Sequence, residues 1–80
     1  MSKTILRLPA VLRERGRSRS AHYQDIHNQL FTKQVYIGPR SVGWPEHEVL
    51  ALNAARIAGK TDDEIRALVM KLEAARKVAV

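Results

Sequence analysis

Seven side chains within the stretch from residue 17 to 28, Arg17, Ser18, Arg19, Ser20, Gln24, His27 and Asn28, carry the chemistry of recognition rather than of bond making. Guanidinium groups pair with phosphate oxygens or with guanine O6 and N7, and Gln and Asn amides match the N6 and N7 edge of adenine. Arg15, Lys33 and Arg40 lie on either side of this stretch and add candidate phosphate contacts. A bond-making centre is harder to assemble. His22 and His27 are five residues apart and diverge by about 140° around a helix. The chain has no cysteine, which removes thiolate ligands, thiol nucleophiles and disulfides together. Glu46, His47 and Glu48 are consecutive, so on a helix they point in different directions; they read as helix-start acids and a solvated histidine. No glycine-rich phosphate loop or nucleophile elbow is present. Neither an enzyme, a metal site nor a cofactor is expected.

These residues need a scaffold, and the local signals outline one. Thr4 to Leu8 reads as a short extended segment, and Pro9 to Arg15 as a short helix opened by proline, burying Val11 and Leu12 and stopped by Gly16. Ser18 is a plausible N-cap for a second helix running to about Leu30. Tyr23, Ile26 and Leu30 cluster on one face of it with His22 at the edge, while Ser20, Gln24, His27 and Asn28 point the other way. Two short helices joined by a glycine-containing turn, the second flanked by arginines, form a helix-turn-helix. Val35-Tyr36-Ile37, the turn Gly38-Pro39-Arg40-Ser41 and the return Val42-Gly43-Trp44 form a hairpin with Arg40 at its tip. A hairpin placed after a helix-turn-helix is a wing, suited to the DNA backbone or minor groove. Phe31, Tyr36 and Trp44 are expected in the core of so small a domain.

Pro45 opens a third helix ending at Gly59, and Thr61-Asp62-Asp63-Glu64 is a capping box for a fourth. Ile65, Leu68, Leu72, Ala75 and Ala79 then make an apolar stripe, available either to the domain's own core or to the same helix of a second copy. The expected fold is mostly α with a small β-hairpin: one winged helix-turn-helix domain over 1–80. Within it, 4–44 hold the helix-turn-helix and wing, 45–58 the bracing helix and 62–78 a C-terminal amphipathic helix.

Composition agrees with this division. The chain has 80 residues, 45% of them hydrophobic, and a formal charge of +6. Residues 1–43 hold eight cations against two anions, and residues 44–80 six against six. The whole excess lies in the helix-turn-helix and wing, as expected of a polyanion-binding half and a structural half. Apolar runs fall far short of the roughly 20 residues that cross a bilayer, and arginines interrupt any leader-like stretch. No membrane partner is expected, and the chain is placed in the cytoplasm, at the nucleoid.

The stretches Leu8-Pro9-Ala10-Val11-Leu12, Gly16 to Tyr23 and Phe31 to Trp44, with Glu48-Val49, resemble the AlpA family of prophage regulators. That family is related to phage excisionases and to the winged-helix domains of MerR-type regulators. The resemblance covers about residues 5 to 58 and rests on the joint presence of the Ser18-Arg19-Ser20 turn and the Gly38-Pro39-Arg40 to Gly43-Trp44 wing. Family members usually carry an aliphatic residue where His22 stands, and often proline where Thr32 or Gln34 stands. The resemblance implies sequence-specific binding to double-stranded DNA, with Ser18-Arg19-Ser20 and Tyr23 at the start of the recognition helix and Gly38-Pro39-Arg40 at the wing tip. It further implies control of an integrase or other mobile-element genes, or an excisionase-type architectural role. A helix reading roughly 4 base pairs selects no unique genomic site, so a homodimer or a cooperative oligomer on DNA is expected, with an integrase or recombinase as a further candidate partner. The rival readings are an RNA or single-strand binder using the hairpin aromatics and a protein-interaction adaptor.

Overall fold

The computed structural model describes residues 4–78. Its elements follow in the order β1 (Ile5–Arg7), α1 (Leu8–Arg15), α2 (Arg19–His27), β2 (Val35–Gly38), β3 (Ser41–Pro45), α3 (Glu46–Ile57) and α4 (Asp62–Val78). This is a mostly helical domain with a small antiparallel sheet, in keeping with a winged helix-turn-helix. The predicted hairpin is present as β2 and β3, but the sheet has three strands in the order β1-β3-β2. The segment before Pro9 pairs with the far side of β3, placing Leu6 opposite Trp44 and Arg7 opposite Gly43. The Glu46 N–H, donating to the Thr4 carbonyl at 2.8 Å, extends this pairing to the start of α3.

Local capping chemistry sets the helix ends. Gly16 takes a left-handed φ of 63°, and Arg17 N–H reaches back to the Leu12 carbonyl at 3.2 Å, closing α1 as a left-handed glycine does. The Ser18 Oγ accepts from the Ala21 N–H at 3.2 Å, capping α2. That helix ends at His27 rather than near Leu30. Gln29 turns left-handed at φ 63°, and the Leu30 N–H bonds back to the Asp25 carbonyl at 2.8 Å. The chain thereby leaves the helix axis early and delivers Phe31 to the core. At α4, Thr61 N–H donates to Glu64 Oε1 at 2.9 Å and Glu64 N–H to Thr61 Oγ1 at 3.2 Å, the reciprocal capping box.

The core holds Val11, Phe31, Trp44, Val49, Leu52, Ile65 and Val69, with Leu68 and Leu72 packed against it. The apolar stripe of α4 is therefore used within the domain; Ala79, its last expected member, lies outside the described residues. Trp44 Nε1 donates to the Thr32 carbonyl at 2.9 Å, anchoring the indole beneath the sheet. Two expectations fail here. Tyr36 is 78% exposed on the outer strand β2, while Phe31 and Trp44 are buried as expected. Glu48, read as a helix-start acid, is wholly buried, because Arg76 from α4 closes on both its oxygens at 2.7 and 2.6 Å.

Candidate nucleic-acid interface

The turn between α1 and α2 is fixed by a carboxylate that spacing did not single out. Asp25 Oδ2 accepts from Arg15 Nη2 at 2.6 Å and from Arg17 Nε at 3.1 Å, and its Oδ1 accepts from Arg17 Nη2 at 2.8 Å. Burial favours the neutral acid at Asp25, but the two guanidiniums outweigh it and hold the carboxyl below its ordinary value. Arg15 also stacks 4.1 Å from the centre of the Phe31 ring, and its Nη1 lies 2.7 Å from His22 Nδ1. An arginine always donates, so His22 accepts at Nδ1 and carries its proton on Nε2. The imidazole is wholly buried and sits edge-on to Tyr23, Phe31 and Trp44. Burial, reinforced by Arg15, pushes its pKa down to about 4.

The candidate contacts divide accordingly. The Arg15 side chain is 6% exposed with its donors directed at Asp25 and His22, which removes it from the groups that face solvent. Arg17 is 44% exposed but held edge-on by Asp25. Both arginines line a cavity of about 560 Å³ shared with Asn53 and Ile57 of α3 and Asp62 of α4. Ser18 is engaged as the cap of α2, whereas Arg19, Ser20, Gln24, His27 and Asn28 are exposed along it. Arg19 rests over Tyr23, with its Cζ 5.9 Å from the ring centre. Lys33 is exposed in the connection to the wing, and Arg40 is exposed at the turn between β2 and β3.

A second cavity, about 490 Å³, lies between the end of α2 and the wing and is lined by Ile26, His27, Gln29, Lys33, Gln34 and Tyr36. It brings together two sequence candidates, His27 and Lys33, and adds Gln29, Gln34 and Tyr36. Tyr36 is expected in the core because so small a domain has few large groups to fill it, but on the edge strand β2 its side chain faces outward.

Charge pairing is denser in the second half than in the first. Arg56, Lys60, Arg66 and Arg76 of the second half each pair with an acid. In the first half Arg15 and Arg17 share the single carboxylate of Asp25. Among the described residues, Arg7, Arg13, Arg19, Lys33 and Arg40 of the first half enter no salt bridge, nor do Lys71 and Lys77 of α4 in the second. Of the five in the first half, four are exposed on α1, α2 and the wing or its connection, and Arg7 is exposed on β1. No group of three His, Cys, Asp or Glu residues that could hold a metal ion occurs among the described residues. No helix among them is long and apolar enough to cross a membrane.

Residues 4–52 match the model of the family described as prophage CP4-57 regulatory protein (AlpA). The chain belongs to the AlpA family. It is also similar to an uncharacterized protein, ORF88, of Enterobacteria phage P4, with 44% identity over 56 residues. That alignment covers 70% of this chain and 64% of the phage protein's length. No solved structure matches the chain. The AlpA family is described as one of prophage regulatory proteins. The match runs from β1 into α3, so α4 lies beyond the matched region.

Proposed function

We propose that the chain binds double-stranded DNA and regulates genes of a prophage or other mobile element, such as an integrase. Helix α2 enters the major groove with Arg19, Ser20, Gln24, His27 and Asn28 facing the bases or their phosphates. The wing lies along the backbone through Arg40, and Lys33 meets a phosphate between the two. The observation that carries this reading is the set of exposed cations without acidic partners on the first half of the chain. Arg7, Arg13, Arg19, Lys33 and Arg40 belong to the helix-turn-helix and sheet, whereas four of the second half's six cations are neutralised by pairing and Lys71 and Lys77 of α4 are not. Cations left free on a scaffold whose second helix presents amide and hydroxyl groups suit a duplex with both phosphates and readable edges.

Because the stripe of α4 serves its own core, a second copy on DNA would bind beside the first rather than through that stripe. Exposed Tyr36 favours a single-strand reading, but with Phe31 and Trp44 buried it has no companion with which to form a stacking platform. Titration of duplex and single strand at several salt concentrations separates the two. Single-strand binding as tight as duplex binding overturns the proposed function.

A further inference from the structure

The connection between α2 and the wing is held from outside by α4. Arg66 Nε donates to the Asn28 carbonyl, the C-cap of α2, at 3.1 Å. Further along α4, Glu73 Oε2 accepts from the Lys33 N–H at 2.8 Å, and Arg76 Nη2 donates to the Lys33 carbonyl at 2.7 Å. Both ends of the segment 28–33 are thus tied by main-chain hydrogen bonds to side chains of one helix. Within this segment the chain turns through the left-handed Gln29 and buries Phe31 and Thr32. Arg76 is itself fixed by the buried Glu48 of α3, so the tie is referred back to the core. None of the three α4 residues falls within the matched region 4–52.

We propose that α4 is a strap that sets the position of the wing relative to α2, with Arg66, Glu73 and Arg76 as positioning residues that control duplex affinity without touching DNA. This rests on the duplex-binding reading above. The physical reason is a population argument: helix and wing engage one duplex together only in their correct relative placement. Affinity falls in proportion to the fraction of molecules that hold it. A segment whose backbone groups bond to α4 spends more of its time in that placement than one bonded to water.

The test is the double substitution Arg66→Ala with Glu73→Ala, read in two ways. The two removed ties to the connection are solvent-accessible, as is the Arg66–Asp63 ion pair lost with them at 3.2 Å, so no buried charge is left unpaired. Glu73→Ala alone serves if the double variant is not folded. In the free protein, amide exchange across residues 29–36 should rise while exchange in α1 and α3 stays as in the parent. On duplex DNA, affinity should fall by about tenfold, the loss expected if the competent fraction drops to a tenth. The slope of log K against log salt should stay unchanged, because no phosphate contact is removed. Glu73→Gln, which retains an acceptor oxygen, should recover most of the loss in the single-variant background. Unchanged exchange overturns the proposal, as does raised exchange with duplex affinity within twofold of the parent. A salt slope shallower by about one would make Arg66 a direct phosphate contact and overturn it as well. If the parent itself shows no duplex preference, the duplex-binding reading fails first and the positioning role falls with it.

Discussion

Arginine is abundant in this chain, and partners separate the residues that hold the fold from those available to a ligand. Arg15 and Arg17 look equivalent to Arg19 in the sequence, yet Asp25 claims both. That pairing was not legible because it joins positions ten and eight residues apart through a turn, a geometry that periodicity does not specify. Exposed cations with no acid on α2 and the wing should behave as phosphate contacts. Arg40→Ala and Arg19→Ala are each expected to weaken duplex binding about 3- to 10-fold and to lower the salt slope by about 0.9 per contact removed. Lys71→Ala, on the exposed side of α4, should leave both unchanged. Equal losses in all three by anisotropy titration would indicate diffuse attraction. A second residue-scale consequence follows from His22, whose pKa falls from 6.5 to about 4 on folding. The unfolded chain then binds the proton more readily, so this contribution to stability is intact above about pH 6.5 and is lost progressively towards pH 4, on the order of 3 kcal/mol. Asp25, held below its ordinary 3.8, adds a further loss as pH falls through and below that value. Urea unfolding at a series of pH values should show stability falling between pH 6.5 and 4 in the parent and a flatter profile in His22→Met. Identical slopes in the two proteins would contradict the neutral, arginine-facing imidazole.

Elements were legible where their signals are local. The Gly16 stop, the Ser18 cap and the Thr61–Glu64 capping box each act within three or four residues, and each stands where spacing placed it. The third strand was legible only as an extended segment, because its partner β3 lies far along the chain. The burial of Glu48 was likewise hidden, since Arg76 belongs to another helix. The three-stranded sheet makes Gly43 critical for reasons a two-stranded hairpin would not give. A Cβ there would lie 2.5 Å from Ile5 Cγ2, 2.8 Å from Ile37 Cδ1 and 2.9 Å from the Leu6 carbonyl oxygen. The conflict involves both neighbours of β3 and includes backbone, so side-chain rotation cannot remove all of it. Gly43→Ala should cost about 2 kcal/mol, lowering Tm by roughly 10 °C. A thermal melt within 2 °C or so of the parent would show that β1 does not pack on β3 as described.

At the scale of the whole molecule, the charge of +6 on 80 residues resolves into a balanced frame and an unbalanced face. Helices α3 and α4 supply the frame: Asn53 Nδ2 donates to the Glu14 carbonyl at 3.0 Å, and Arg66, Glu73 and Arg76 hold the path to the wing. The face comprises α2, the wing and the groove between them, where Lys33 and Tyr36 meet His27. Composition located the charge excess, but the groove required the early end of α2 at His27, which a left-handed non-glycine residue causes and sequence pattern does not announce. The most direct test of the account is a titration of labelled DNA from the chain's own upstream region, as duplex and as single strand, against a scrambled duplex at several salt concentrations. The account predicts upstream duplex binding at least about 100-fold tighter than to scrambled duplex, with a log–log salt slope of about −3 to −4 if three or four of the first half's five unpaired cations meet phosphates. Equal affinity for all three DNAs would contradict it.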